Sequence, residues 1–328
     1  MFSKNISKIC YFLILIVFVV SFSSTLQSVF SASGNWSNNV SSSNKPSVGT
    51  GVSSNPYIIT NGKQLYYWIS NQKSTTKTYA KLGCDIDLAS HYWNPPATNK
   101  YSYELDGNGF SVNNLIANNT SLYNGLFGWV KDLTVKNLTV NCDITTSKDA
   151  GAIAGCVAGT LKIEKCAAKG KITANGDMTI GGLVGYAAST CTFTNCFSDV
   201  DLNKGEYVGG VLGKAETTAT FTLCENEGQI SNSIDSSCGG IVGYLNSTVT
   251  INKCFNVATI SCSHSSAYAG GLIGYATSTA TIKNSFNTAN ISSTNNYAGG
   301  LCAYAKASCN IENCYNTGTI TAAKGGVE

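Results

Sequence analysis

Short runs of alternating apolar and polar residues, broken by glycine and asparagine, fill the chain from Tyr123 onward. They recur around an anchor of two small residues, two apolar residues and another small residue. The second small residue of the successive anchors is Gly125, Gly151, Gly182, Gly210, Gly240, Gly271 and Gly300. The spacings of 26, 31, 28, 30, 31 and 29 residues are typical of a solenoid or another repeat array.

Alignment on these glycines places like residues in columns. One apolar column is Val135, Ile163, Phe193, Phe221, Ile251, Ile282 and Ile311. A second is Ile144, Ile172, Leu202, Ile230, Ile260, Ile291 and Ile320, and a polar column is Asn226, Asn256, Asn287 and Asn316. Glycine and threonine within each unit disfavour helix. We therefore predict an all-β fold, a right-handed parallel β-helix of about seven rungs; the alternative, a β-propeller, needs blades of about 40 residues or more.

The region before the repeats, residues 57–120, is predicted to form an N-terminal α/β cap. Asn55–Ile59 has the composition of a strand, and Thr60 or Asn61 can cap a short helix that buries Leu65, Trp68 and Ile69. Asp106-Gly107-Asn108-Gly109 predicts a hairpin turn. Residues 34–56 are rich in Ser, Asn and Gly and predict a flexible lead-in, whereas the repeats occupy residues 121–328.

The first 33 residues have the pattern of a secretory signal peptide. Lys4 and Lys8 precede the apolar run Ile9–Phe22, and Ser31-Ala32-Ser33 supplies small residues for cleavage. An uncleaved anchor helix is the alternative. With no second apolar span after it, we expect a secreted or cell-surface protein without a transmembrane segment once the signal is removed.

Charge narrows the range of partners. The net charge is +3, charged residues make up 12% of the chain, and all 21 basic residues are lysines spread without a basic stripe. Because phosphate binding needs clustered basic residues, we expect no nucleic-acid partner. No nucleophile or zinc-protease motif is present, and we expect no cofactor.

The Gly181–Tyr186 segment, Gly-Gly-Leu-Val-Gly-Tyr, and the tail Asn313–Gly318 resemble the bacterial GLUG repeat. The resemblance covers residues 55–328, although Ala150 and Ala154 depart from the pattern in the second unit. It implies an exported, often cell-wall-associated module, sometimes joined to peptidases or adhesins. It supplies no shared catalytic residues.

Carboxylates form one candidate site. Asp199 and Asp201 share a strand face, and the repeat spacing stacks Glu227 on Asp199 with Glu225 close by. Such a cluster can bind calcium or act as an acid–base pair on a glycan. The alternative is an ordinary charge ladder, because Lys169 and Lys171 occupy the same columns one turn earlier.

Cysteines form a further column, made of Cys166, Cys196, Cys224, Cys254 and Cys314. In-register cysteines have poor geometry for a disulfide, so we predict a buried, reduced ladder. A metal site at the Cys191/Cys196 and Cys309/Cys314 pairs is the alternative.

Four tyrosines form an aromatic column, Tyr186, Tyr244, Tyr275 and Tyr304, with Cys156 and Lys214 in its other places. An exposed strip of this kind can stack on sugars or on a protein partner, but the rings can also pack under loops.

Taken together, these patterns favour a non-catalytic exported surface scaffold or adhesin-like module that binds a glycan or a host or cell-surface protein. The alternatives are a polysaccharide-active β-helix enzyme, a lyase or glycoside hydrolase, and an accessory repeat region of a larger exported hydrolase. Gly325-Gly326-Val327 opens an eighth anchor, which predicts that the repeat is incomplete or associates end to end; Lys324 and Glu328 could instead blunt the edge.

Overall fold

Parallel strands wind the chain into three long sheets in the computed structural model, which describes residues 34–88, 91–95, 99–120, 122–234 and 236–325 (at 295 the backbone alone). The predicted signal peptide lies outside the described residues. Each strand pairs with a strand from the next turn, and every strand-to-strand pairing in this part of the chain is parallel. The predicted parallel β-helix is confirmed, and the propeller is wrong.

The first sheet has ten strands among the described residues. They are Tyr57–Ile59, Thr78–Leu82, Tyr103–Asp106, Leu133–Lys136, Leu161–Glu164, Cys191–Thr194, Ala219–Thr222, Val249–Asn252, Ala280–Lys283 and Cys309–Glu312. The first predicted apolar column, from Val135 to Ile311, lies on these strands with its side chains toward the interior. Each of its residues pairs in register with the next along the column.

The second sheet has seven strands within the described ranges. They are Phe127–Val130, Ala154–Val157, Val184–Ala187, Leu212–Ala215, Val242–Leu245, Ile273–Ala276 and Cys302–Ala305. Each strand begins within an anchor and continues past it, so the second sheet carries the column of Tyr186.

The third sheet gathers eighteen strands of the described chain. They are Ile86–Asp87, Ser111–Asn119, Thr139–Thr146, Ala150–Gly151, Ala167–Ala174, Thr179–Gly181, Phe197–Asn203, Tyr207–Gly209, Glu225–Asn226, Ile230–Asn232, Ser237–Gly239, Phe255–Asn256, Ile260–Cys262, Tyr268–Gly270, Phe286–Asn287, Ile291–Gly299, Tyr315–Asn316 and Ile320–Gly325. The second predicted apolar column, from Ile144 to Ile320, is confirmed here in register.

The asparagine column is a hydrogen-bonded ladder inside the coil. Asn226, Asn256 and Asn287 each donate from Nδ2 to the Oδ1 atom of the next asparagine, over 2.7, 2.8 and 2.7 Å. The second glycine of the anchor lies against this ladder, since a Cβ atom on Gly240 would lie 2.6 Å from Cγ of Asn256. The glycines that define the period therefore leave room for the asparagine side chains.

A left-handed backbone residue makes one corner of each repeat, directly before the cysteine column. These residues, with φ between 51° and 57°, are Asn137, Lys165, Asn195, Leu223, Lys253, Asn284 and Asn313. Asparagine tolerates this conformation better than most side chains do, which explains its frequency at the corner.

The predicted helix is present as α1, Gly62–Ser70, and its Trp68 ring packs edge-on against Tyr103 and Phe127 of the first turns. Asn61 caps it by accepting a 3.0 Å hydrogen bond from the Gln64 backbone nitrogen. Leu65, Trp68 and Ile69 are buried as expected. No helix among the described residues is both long and apolar enough to span a membrane.

The segment expected to be a flexible lead-in contains two short 3₁₀ helices, Trp36–Asn39 and Ser42–Asn44. Trp36 is buried, with its ring edge-on to Trp93 at 6.2 Å between centroids. Backbone hydrogen bonds also hold the segment, among them Trp36 N to Tyr92 O at 3.1 Å and Ile58 N to Val48 O at 3.0 Å. These contacts order a stretch whose polar composition suggested mobility.

The predicted hairpin at Asp106–Gly109 is wrong. Tyr103–Asp106 and Ser111–Asn119 belong to different sheets, and each pairs in parallel with strands of other turns. Asn108 and Gly109 do have positive φ, 56° and 84°, as a tight turn requires. The sequence identified the turn, but a corner between sheets uses the same residues as a hairpin.

Candidate functional site

The tyrosine column predicted from the repeat lies on the outer face of the second sheet. Pairing runs in register from Cys156 through Tyr186 and Lys214 to Tyr244, Tyr275 and Tyr304. All four tyrosines are half-buried. Tyr244 stacks on Tyr275 with centroids 5.4 Å apart, and Tyr275 stacks on Tyr304 at 5.2 Å.

A second aromatic column, which the sequence analysis missed, runs beside it on the third sheet. Its positions are Tyr207, Ser237, Tyr268 and Tyr297, in register over four turns. A signal was available, because each residue stands directly before an x-Gly-Gly anchor.

The two columns contact each other and form one surface, the tyrosine array, made of Tyr186, Tyr207, Tyr244, Tyr268, Tyr275, Tyr297 and Tyr304. Rings meet across the columns at 4.5 Å between Tyr207 and Tyr244 and at 5.0 Å between Tyr268 and Tyr275. Tyr297 lies 5.4 Å from Tyr304. Neighbouring rings thus hold one another, which fixes their positions before any ligand arrives.

Lys214 replaces a tyrosine in the first column and places its ammonium among the surrounding rings. Its Nζ atom lies 5.7 Å from the ring centroid of Tyr186, 4.9 Å from Tyr207 and 5.3 Å from Tyr244. It also forms a 2.8 Å ion pair with Glu216. These distances are those of cation–π contacts.

The same cluster controls nearby protonation. The hydrogen bond from Lys214 lowers the pKa of the Glu216 carboxyl. Burial, and then the adjacent Glu216 carboxylate, raises the pKa of the Tyr186 hydroxyl to about 12. At neutral pH the Glu216 carboxyl is therefore ionised, and the Tyr186 hydroxyl keeps its proton and donates to it at 3.2 Å.

The candidate carboxylates lie on the third sheet and are already engaged. Lys169 pairs with Asp199 at 3.8 Å, and an Asp201 oxygen accepts a 3.0 Å hydrogen bond from the Gln229 backbone nitrogen. Lys171 pairs with Asp143, one turn earlier, at 3.6 Å. These contacts place opposite charges on neighbouring strands, as the charge-ladder alternative expects, although Lys171 pairs with Asp143.

Glu225 and Glu227 lie two residues apart on the next turn. Burial, and then the hydrogen bond and the negative charge of Glu227, raises the pKa of Glu225 to about 8. Within the described ranges, no three His, Cys, Asp or Glu side chains are arranged to hold a metal ion. Calcium binding by Asp199, Asp201, Glu225 and Glu227 remains a prediction that these contacts do not support.

The cysteine column lies inside the coil. Cys166, Cys196, Cys224 and Cys254 are buried, and Cys314 is partly buried. Thiols donate to backbone oxygens of the previous turn, as from Cys196 to Ile163 and from Cys224 to Phe193, both at 3.5 Å. Burial raises the pKa of Cys224, so it is held as a thiol.

Comparison with known proteins identifies the repeat. Residues 265–292 and 294–321 match the GLUG motif, as the resemblance implied. The chain is also similar to halomucin of Haloquadratum walsbyi, with 32% identity over 163 residues, which is 44% of this chain and 2% of halomucin.

A solved structure from Bacteroides ovatus, described as a candidate immunoglobulin A1 protease, has a similar fold. The TM-score is 0.62 at 18% identity, and the match covers 82% of this chain and 86% of that one. At this identity, the similarity concerns the fold alone.

Proposed function

Because its repeats are GLUG motifs wound into a parallel β-helix, we propose that this chain is an exported, non-catalytic surface module that binds a partner through the tyrosine array. The observation that carries the proposal is seven half-buried tyrosines held in two touching columns. The similarity to halomucin and the predicted signal peptide support the export.

The array has the properties of a preformed binding surface. Tyrosine offers a large apolar face and a polar hydroxyl, and it loses little conformational entropy when it is already packed. The rings are neither fully buried nor freely exposed, so a partner can contact them without reordering the coil. Glycans and proteins both bind such surfaces, and we propose either as the partner.

The enzyme alternative rests on one observation, the raised pKa of Glu225, which is a property of general acids. The arrangement opposes it, since the shift comes from burial and from the neighbouring Glu227 carboxyl, two residues away on the same turn. Carboxyl groups that flank a glycosidic bond stand roughly 5 Å or more apart. The third possibility, an accessory region of a larger hydrolase, draws on the description of the Bacteroides ovatus neighbour.

Binding to an array of glycans and to a panel of surface proteins tests the proposal. We expect a ligand whose affinity falls at least tenfold in the double variant Tyr275→Ala, Tyr304→Ala. Tyr315→Ala is the matched control, because Tyr315 is an exposed tyrosine stacked on Phe286 outside the array. The proposal would be contradicted if the double variant bound the ligand as tightly as the parent protein, or if no ligand in either panel bound at all. Enzyme-like turnover of a polysaccharide that is lost in Asp201→Ala would also contradict it.

A further inference from the structure

Two positions inside the tyrosine array do not carry tyrosine, and they differ in what occupies them. Lys214 stands in the first column between Tyr186 and Tyr244, and Ser237 stands in the second between Tyr207 and Tyr268. At the first position, the protein supplies its own occupant, the Lys214 ammonium, which contacts three rings and one carboxylate.

At the second position the serine is too small to fill the column. Tyr207 and Tyr268 belong to strands two turns apart, a separation of about 9.6 Å at the usual strand spacing. A groove of about 390 Å³ is lined by Ser237, which lies buried at its floor, with Tyr244 and Tyr275 along its side. It has room for one flat or slender group between the two outer rings.

The lining of this groove is acidic as well as aromatic. Asp177 and Glu206 contribute carboxylates, and the serines at 236 and 237 contribute small polar surfaces. No basic residue is among the described residues that line it, although the Lys214 ammonium contacts two of its rings, Tyr207 and Tyr244. The two positions therefore combine the same groups, tyrosine rings with nearby carboxylates. At the first position, the Lys214 ammonium neutralises the carboxylate of Glu216. At the second position, the groove is open to a partner.

We propose that the groove over Ser237 binds a basic side chain, lysine or arginine, presented by a partner protein. This inference rests on the proposed function of the array and names the group recognised at one point of it. Lysine and arginine lay an apolar stem along aromatic rings and place a cation at their faces. The carboxylates of Asp177 and Glu206 supply the charge that a neutral sugar would not use.

Filling the groove is the sharpest test. Ser237→Tyr completes the column of rings, whereas Ser261→Tyr makes the same substitution at an exposed strand position outside the array. The probes are a lysine-rich peptide, its arginine counterpart, its Nε-acetyl-lysine counterpart and an amino-sugar oligosaccharide, measured by surface plasmon resonance on the immobilised protein. The net charge of +3 works against nonspecific attraction of the basic peptides.

We expect one or both basic peptides to bind, and acetylation to weaken the lysine peptide at least tenfold. Ser237→Tyr should weaken binding at least tenfold, with no effect of Ser261→Tyr. The double variant Asp177→Asn, Glu206→Gln should lower the affinity for the basic peptides about fivefold or more. It replaces Ser237→Tyr as the test if that variant does not fold. The inference would be overturned if the acetylated peptide bound as tightly as the lysine peptide, or if the oligosaccharide bound more tightly than either basic peptide. It would also be overturned if neither groove variant changed the affinity for the basic peptides. The proposed function would still stand if another ligand were lost in Tyr275→Ala, Tyr304→Ala.

Discussion

The side-chain nitrogen of Asn226 donates a 2.7 Å hydrogen bond to the side-chain oxygen of Asn256, one full turn further along the coil. Asn256 donates in the same way to the side-chain oxygen of Asn287 at 2.8 Å, and it also donates to the backbone oxygen of Ala258 at 2.9 Å. A polar column can therefore occupy the interior because each amide satisfies its neighbours.

Removal of one member should leave buried groups on both sides unpaired. We expect Asn256→Ala to lower the free energy of unfolding by about 2–3 kcal/mol, since an unsatisfied buried polar group costs about 1–3 kcal/mol. Asn316→Ala, at the half-buried last position, should cost clearly less. Urea denaturation of both variants measures the difference, and equal losses would contradict the ladder account.

The ladder also predicts a stabilising change. Ser198 pairs in register with Asn226, and its Oγ and the Asn226 Oδ1 atom have no hydrogen-bond partner among the described residues. Ser198→Asn would supply a donor to that oxygen and should gain about 1 kcal/mol. Ser198→Ala is the control: it removes the unpaired hydroxyl but leaves the Asn226 oxygen without a donor, so it should gain less than Ser198→Asn. A destabilised asparagine variant would mean that the preceding turn cannot accommodate the larger side chain.

Leu223 is a corner residue with φ of 57° and a side chain that is 40% exposed. Leucine is strained in this region of backbone conformation, where asparagine is tolerated. Leu223→Asn should raise the free energy of unfolding by about 1 kcal/mol. Leu223→Ala keeps the Cβ atom and should give no such gain, so thermal melts of the pair separate backbone strain from lost apolar contact.

The raised pKa of Glu225, beside Glu227, predicts that the stability of the fold depends on pH. Because folding raises the Glu225 pKa from about 4.5 to about 8, the folded state binds more protons than the unfolded state between those values. The resulting stability is present at low pH and is lost as the pH rises through this window. Solvent screening limits the effect to about 1 kcal/mol or less.

Glu225→Gln should remove that dependence, so its melting temperature relative to the parent protein should be higher at pH 8.5 than at pH 4. Glu312→Gln alters an exposed carboxylate paired with Lys283 and is the control. If the stability of the parent protein instead rose steadily from pH 5 to 8, Glu225 and Glu227 would not be the groups that determine its pH dependence.

Alkylation tests the state of the cysteine column. Iodoacetamide added to denatured, unreduced protein should label Cys166, Cys196, Cys224 and Cys254, as read by mass spectrometry. In the folded protein these buried thiols should react slowly, since the thiolate is the reactive form and burial holds the Cys224 pKa above its ordinary value. Recovery of Cys196 bridged to Cys224 would refute a reduced ladder.

The periodic features of the molecule could be read from the sequence because one repeat predicts the next. The apolar, asparagine and first tyrosine columns all follow from aligning the anchors. Features without a periodic signal were harder to recognise. The corner at Asn108 uses the residues of a hairpin, and the burial of Trp36 depends on a distant contact with Trp93.

The candidate site was predicted in part, for a physical reason. Alignment located Tyr186, Tyr244, Tyr275 and Tyr304, but it could not show that Tyr207, Tyr268 and Tyr297 lie beside them. That contact depends on how sharply the chain turns between the third sheet and the second. Likewise, the sequence placed the acidic residues in adjacent columns, while the choice of Asp143 as the partner of Lys171 needed side-chain positions.

The two tyrosine columns advance by one side chain per turn, a tyrosine at most positions, so repeat number determines how many contacts a partner can make. Duplication or loss of a repeat would lengthen or shorten the face by one strand spacing, about 4.8 Å, with the same chemistry at each step. Affinity for an extended partner could then change through valency alone. Selectivity could change independently, by exchange of a single outward residue such as Ser237 within an otherwise constant repeat.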